Sequence, residues 1–488
     1  MYKSSGAHRA TPESGHRRAG TSTYKVYTPR NWREIPQVAR LSESTRAAVD
    51  VVSQVLPFRV DGYVVDQLID WGRAPDDPIF RLTFPQREML APKEFDRIAG
   101  LLRGRAGKAK LATAVHEIRQ RLNPHPAGQL DLNRPLDPGG EVINGLQHKY
   151  RETVLFFPKA GQVCHSYCTF CFRWAQFVGE RDLKMAIDDT DRLLDYLRGH
   201  KEVSDVLVTG GDPMVMNTRR IEDYLDGLAA PAFNHIRSIR IGTKALSFWP
   251  QRFVTDPDAD ELLMLFERLA ESGRQIALMA HINHPQEMRT HMFEAAVRRL
   301  RSAGVQIRTQ APVLRHINDH ADTWARMWRE QVALGLVPYY QFVERDTGAR
   351  RYFEVPLARA WTIYRDAISQ VSGLARTARG PSMSAGPGKV EVQGVSVLND
   401  ERVFVLRFIQ ARNPAWVQRP FFARFDAQAS WLDQLQPAFG DREFFYTREY
   451  RRMIDTRRES AAKAIGHRQG RHGSVRPNIV PSRRPIQR

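Results

Sequence analysis

The sequence of 488 residues predicts an α/β protein: a partial (β/α)6 barrel between an N-terminal helical region and a small C-terminal unit. Three observations carry this. Six short apolar or β-branched runs recur, with stretches of helical apolar pattern lying between them. Their spacing, about 30 to 50 residues, is that of βα units feeding a parallel sheet. Glycine and polar residues gather directly after the runs, at the strand ends where barrels carry their sites.

Taken in order, residues 1–35 are a basic tail, rich in Arg, Ser and Gly, and are expected to be disordered. Residues 36–147 read as mainly helical, with helices over 44–55 and 92–121, the second broken at Gly104 and Gly107. The barrel is expected over 148–346. Its strands begin near Thr153 and cover 153–157, 205–208, 236–241, 275–279, 305–308 and 339–343. Helical patterns lie between them over 188–197, 220–228, 259–272 and 292–303. The C-terminal unit, 347–448, opens with a helix over 356–371. A Gly/Ser/Pro-rich loop from Gly380 to Gly388 follows, then strands over 389–397 and 402–407, with Trp416 and Trp431 beyond. Residues 449–488 form a second basic tail, and there is no internal repeat.

The formal net charge of +19 suggests nucleic acid until it is located. Residues 1–33 carry seven Lys/Arg against one acid and residues 451–488 eleven against two, so 15 of the 19 charges lie in the tails. Such tails could release counterions from RNA or an acidic partner, or simply be solvated. No apolar run approaches the roughly 18 residues of a membrane span, and the polar N-terminus lacks a secretory h-region. The expectation is a cytoplasmic protein without membrane or nucleic-acid partner.

The chain has three cysteines, all in the run Cys164-x3-Cys168-x2-Cys171. A disulfide framework spreads an even number along a secreted chain, and a common structural zinc site needs a fourth ligand. Three thiolates can instead hold three irons of a [4Fe–4S] cube and leave the fourth open. An open iron can be chelated by the amino and carboxylate groups of S-adenosylmethionine (SAM). Phe170, before the third cysteine, could shield one face of such a cluster. Gly210-Gly211-Asp212 ends the second strand. It is either a plain βα turn or, one βα unit after such a cysteine loop, a backbone surface that a ligand can approach closely. Lys389, closing Ser384-Ala-Gly-Pro-Gly-Lys, is either a solvated side chain or the amine that forms a Schiff base with pyridoxal phosphate (PLP).

These pieces, in this order, resemble the lysine 2,3-aminomutase family of radical SAM enzymes. The resemblance runs from His148 to Lys389, about half the chain. It takes in His148-Lys-Tyr150, the cysteines with Arg173, Gly210-Gly211-Asp212, Arg240-Ile-Gly242 and Pro250-Gln251-Arg252. Further on it includes His281-x-Asn283-His284-Pro285, Gln310-x4-Arg315-x2-Asn318-Asp319, Pro338-Tyr-Tyr340 and the loop to Lys389. It implies a radical SAM barrel with a C-terminal PLP-lysine unit, the three cysteines on the cluster and Lys389 on PLP. Lys149 and Tyr150 are implied as further PLP contacts, and Gly210, Gly211, Asp212, His281, Asn283 and Gln310 as SAM contacts. Arg173 would clamp the substrate α-carboxylate, as its planar fork suits. The implied reaction moves an α-amino group to the β-carbon. The implied partners are a small amino-acid substrate and an external electron donor of flavodoxin or ferredoxin type, with a homo-oligomer as an option.

The sequence departs from the pattern at the substrate end. Lysine-specific members hold the distant ammonium with two aspartates, and here those places fall on Arg345 and Ser382. A one-residue slip would bring Asp346 to the first, at the expense of the register with Phe353 and Pro356. A buried guanidinium facing an ammonium would cost roughly several kcal/mol, whereas facing a carboxylate it gains. An acidic amino acid is therefore the expected substrate, and Arg376 and Arg379 could add to its pocket. Lys149 and Thr153 stand where basic residues, commonly Arg at the first, are usual, and Ala385-Gly-Pro-Gly388 replaces a run of glycines. Two alternatives stay open. One is the same machinery acting on a protein-bound lysine or a non-standard amino acid. The other is an RNA-binding protein with a structural iron–sulfur cluster.

Overall fold

The computed structural model describes residues 24–123, 132–179, 185–457 and 459, so most of both basic tails lies outside the described residues. Eleven of the strands form one sheet whose spatial order follows the chain. Among the described residues the strands are β1 (Val26–Tyr27), β2 (Val60–Asp61), β3 (Leu146–Tyr150), β4 (Thr153–Phe156), β5 (Asp205–Val208), β6 (Ser238–Thr243), β7 (Gln275–His281), β8 (Gln306–Val313), β9 (Val337–Val343), β10 (Arg379–Ser384), β11 (Gly388–Leu398), β12 (Glu401–Ala411) and β13 (Pro420–Arg424). From β4 to β10 every neighbouring pair is parallel. β3 and β11 to β13 extend the sheet antiparallel at its two ends.

Alternation along each strand explains the layering. In β5 and β6 every second residue (Val206, Val208, Ile239, Ile241) is buried in one core with Leu193, Leu197, Ile221, Leu225, Phe266 and Leu269 of the intervening helices. The other face presents Asp205, Leu207, Arg240 and Gly242, which are less buried. A sheet wound in chain order with right-handed crossovers places all its helices on one face. The opposite face is thereby left for chemistry.

Three expectations are corrected. The strands of the large sheet begin at Leu146, since β3 and β4 form a hairpin, and earlier β1, in the expected tail, pairs with β2, in the region expected to be helical. Residues 24–35, assigned to the first tail, are structured, with Trp32 1% exposed in the N-terminal core. Residues 449–457, assigned to the second tail, lie in a helix over 447–457. The third correction concerns the Gly/Ser/Pro loop, half of which is β10, a seventh parallel strand beside β9. Gly380 permits it, because a Cβ there would come within 2.4 Å of the Gln341 carbonyl oxygen. Composition marked that segment as a loop, but hydrogen bonds from strands on both sides override local propensity.

The N-terminal helices Glu43–Val52, Pro92–Arg103 and Lys108–Leu122 are present. Ser42 caps the first by accepting from the Thr45 amide, and the second ends at Gly104. Their core is continuous with Phe170, Trp174, Trp249 and Phe353, so this region packs directly against the cysteine loop. Among the described residues no helix is long and apolar enough to cross a membrane.

Candidate active site

The cysteine loop follows β4, and the N-terminal region clamps it. The Tyr167 amide donates to the Arg59 carbonyl at 2.8 Å, the Thr169 amide to that of Leu82 at 2.9 Å, and the Thr169 hydroxyl to that of Arg81 at 2.7 Å. Ser166 donates to the Asp61 carboxylate at 2.6 Å and accepts from the Asp61 amide at 2.9 Å. Burial holds the Asp61 carboxyl up at about 7 against the hydrogen bonds that favour its anion. The three thiols interact with one another, and burial pushes each upward, Cys171 to about 11. A metal must therefore take the place of their protons. Among the described residues no three His, Cys, Asp or Glu converge tightly enough for one ion. Three free thiols in one loop without a fourth protein ligand are the donors that hold three irons of a [4Fe–4S] cube and leave the fourth open. The donor set thus suits a cluster.

Gly210-Gly211-Asp212 lies against the start of this loop. The Gly211 amide donates to the Gly161 carbonyl at 3.1 Å, and that of Asp212 to Val163 at 2.8 Å. A Cβ on Gly211 would stand 2.5 Å from both Val163 N and O, so the residue type follows from the approach. The Asp212 carboxylate is occupied by the Thr243 hydroxyl (2.6 Å), the Lys244 amide (2.8 Å) and the Met214 amide (3.0 Å). What this turn can offer a ligand is therefore its backbone rather than that carboxylate.

His281, at the end of β7, pairs in register with Gln310 within β8. The Phe170 ring lies 5.5 Å from that of His281, which joins this group to the cysteine loop. The Lys244 ammonium fixes the segment by donating to the His281 carbonyl (3.1 Å), Asn283 Oδ1 (3.0 Å) and Glu287 Oε2 (2.6 Å). Burial, then Lys244, holds the His281 imidazole neutral. Asn283 Nδ2 is buried and has no partner among the described residues, a donor directed at no group of the fold. The motif residues Arg252, Arg315 and Asn318 serve the scaffold: Arg252 binds the Met214 and Met216 carbonyls and Asp258, Arg315 the Glu354 carbonyl, and Asn318 the Asn283 and Pro312 carbonyls.

A second group forms where β3, β9 and the β10–β11 turn meet. Lys389 opens β11 with its ammonium 4.0 Å from the Tyr340 ring centroid, and burial, then Arg240 and Arg379, brings its amine down to about 7. Lys149 donates to the Ala385 carbonyl and Tyr150 meets Ser384. Burial lowers Lys149 strongly, with Arg412, Arg345 and Lys389 adding to the effect. Arg173 is 8% exposed, its guanidinium 4.2 Å from the Phe157 ring, and Nη1 has no partner among the described residues. Buried cations without acidic partners are expensive unless an anion enters. The set thus suits a phosphate and a carboxylate, as PLP and an amino acid provide.

Arg345 and Asp346 both line a cavity of about 540 Å³ bounded by Gly386, Trp431, Leu435 and Phe444, among others. The Arg345 guanidinium lies 5.3 Å from the Phe172 ring and 5.4 Å from that of Trp431, and Nε is 3.7 Å from Asp346. Ser382 is fully buried, with its hydroxyl unpartnered among the described residues. Arg379 joins the surroundings of Lys389, whereas Arg376 turns to the Val371 carbonyl. Asp61, Glu287 and Arg412 escaped the sequence reading, and Trp431 was read there only as part of the C-terminal unit. Each reaches the site by tertiary folding, and none carries a local motif.

Comparison with known proteins agrees with this assembly. An Aquifex aeolicus (strain VF5) protein, provisionally named as an L-lysine 2,3-aminomutase, is 31% identical over 397 residues, 81% of this chain and 92% of its own. The L-lysine 2,3-aminomutase of Escherichia coli (strain K12) is 31% identical over 243 residues, 49% of this chain and 66% of its own. That of Bacillus subtilis (strain 168) is 25% identical over 375 residues, covering 77% and 69%. No family profile matches. A radical SAM methyltransferase structure from Sphaerobacter thermophilus aligns at 14% identity and a TM-score of 0.35 over 51% of this chain and 69% of that one, too loosely to carry an argument. With its cysteine loop, glycine turn and buried lysine in one sheet, and its sequence similar over nearly the whole length of one relative, the chain belongs to the lysine 2,3-aminomutase family, radical SAM isomerases that work with a [4Fe–4S] cluster, SAM and PLP.

Proposed function

We propose that this aminomutase moves the α-amino group of an acidic amino acid, rather than lysine, to the β-carbon. The observation that carries the reading is Arg345. Its half-buried guanidinium lines the cavity beside the Lys389 group, and Ser382, unlike the neighbouring Asp346, supplies no opposing acid. A substrate carboxylate gains there what a lysine ammonium would lose.

In this reading the sheet curls into a partial (β/α)6 barrel over 148–346, between the helical region 36–147 and the PLP-lysine unit 347–448. Cys164, Cys168 and Cys171 hold the cluster, the turn at Gly210 and Gly211 with Asn283 and Gln310 receives SAM, and Lys389, Lys149 and Tyr150 receive PLP. When bound, the cluster with SAM would supply hydrogen-abstracting radical chemistry and PLP a conjugated ring able to delocalise an unpaired electron. The chain's own residues orient and exclude. Arg173, held at about 10 by burial and so still charged at neutral pH, fixes the α-carboxylate. Arg345 fixes the distal carboxylate, and Asp346 beside it limits how much anionic charge the pocket accepts. Phe170 and His281 close the cluster side against water. An external flavodoxin- or ferredoxin-type reductant completes the system. The reducing cytoplasm is the compartment in which such thiolates persist.

The test is an anaerobic assay of reconstituted protein with SAM, PLP and dithionite against a panel of amino acids. A β-amino product from glutamate or aspartate, lost in Lys389→Ala and weakened about 30-fold or more in Arg345→Gln, supports the reading. A product from lysine in the unaltered protein overturns it.

A further inference from the structure

Arg412 is a strongly basic group near Lys149 and Tyr150 that belongs to none of the motifs named above, and the geometry gives it a task. The β11–β12 hairpin pairs Gly388 with Ala411 and so brings Arg412 against the turn before Lys389. Its amide donates to the Pro387 carbonyl at 3.1 Å and its Nε to that of Gly386 at 2.9 Å. Nη1 reaches the Leu132 carbonyl at 3.3 Å, Nη2 reaches Asn133 Oδ1, and Tyr450 also meets the guanidinium. Every one of these acceptors is neutral. Lys149 approaches the same turn from β3 and donates to the Ala385 carbonyl, again a neutral group. Neither cation has an acidic partner among the described residues, and they repel one another. Thr153, standing where a basic residue is usual, is instead spent on Asp205 at 2.8 Å, together with Arg240.

Two half-buried cations flanking one backbone turn, next to the Tyr150 and Ser384 hydroxyls, form a site for a doubly charged oxyanion. We infer that Arg412 is the second cation of the PLP phosphate cradle, opposite Lys149, in place of the charge that Thr153 lacks. This rests on PLP being held at Lys389. A guanidinium has five N–H groups, so its contacts with the fold leave capacity for one more acceptor. A phosphate oxygen there would turn a repulsive pair into a bridged one.

The experiment compares PLP with pyridoxal, which has the aldehyde and ring but no phosphate. Protein with its cluster intact is stripped of PLP under anaerobic conditions and titrated with each, and binding is read from cofactor absorbance. In Arg412→Gln the dissociation constant for PLP should rise roughly 10- to 100-fold, while that for pyridoxal stays within about twofold. Arg412→Lys should lie between. If Arg412→Gln does not fold, Arg412→Lys carries the same comparison, with a smaller loss for PLP and none for pyridoxal. Equal losses for both ligands would mean that Arg412 only holds the turn, and unchanged PLP binding would mean that the phosphate lies elsewhere. Either outcome overturns the proposal. Failure of unaltered protein to bind either ligand would overturn the PLP site itself, which separates the two claims.

Discussion

Lys389 should capture PLP as a free amine at neutral pH. An ordinary lysine, with its pKa at about 10.4, is neutral in only about one molecule in a few thousand at pH 7. Burial against Tyr340 and Phe342, then the charges of Arg240 and Arg379, brings Lys389 to about 7, with Asp205 opposing. Half the amines are then neutral, a gain of roughly a thousandfold in reactive fraction. Mixing PLP-stripped protein with PLP over a range of pH should give a capture rate that rises to a plateau with its midpoint near 7. Arg379→Gln removes one repelling charge and should move the midpoint upward. The same shift fixes a stability trend. Between about 7 and the unfolded value near 10.4 the native state binds fewer protons than the unfolded chain, so this group's contribution improves as pH rises through that window. Its cost is largest below 7. Lys389→Met should therefore abolish activity yet raise Tm at neutral pH. A capture rate still climbing tenfold per pH unit above about pH 9, or a lower Tm in Lys389→Met, would refute the reasoning.

Three further perturbations test the frame around the site. Asp61→Ala strips the Ser166 hydroxyl and the Val64 amide of their partner in a dry interior, so about 2–4 kcal/mol of stability should be lost. Iron content after anaerobic purification should fall with it, and full iron loading with unchanged Tm would show that the N-terminal clamp is dispensable. Gly211→Ala drives a methyl group into the Val163 backbone, and calorimetry should show SAM affinity falling about tenfold or more. Lys244→Met leaves the fully buried Glu287 carboxylate unpaired, which should cost about 3–5 kcal/mol in denaturant unfolding. Adding Glu287→Leu should recover much of that loss.

The three cysteines, the glycine turn and the lysine could be picked out as candidates because each lies in a short run of unusual residues. The six βα units were legible because burial on one face imposes a period that survives in sequence. Strand ends drifted by a few residues: the run expected at 236–241 forms over Ser238–Thr243. β10 was hidden because its partners, β9 and β11, supply the hydrogen bonds that its Gly-Pro composition argues against. The choice between Arg345 and Asp346 did not resolve into one or the other, since both line the cavity. Sequence alone determined which chemistry the chain carries, because ligand sets are local and their spacing is set by covalent reach. Tertiary structure alone decided how that chemistry is held. Asp61 meets Ser166 across 105 residues, and Arg412 meets Asn133 across 279. Contacts over such separations depend on the packing of the whole sheet and its N-terminal cover, which no local pattern encodes.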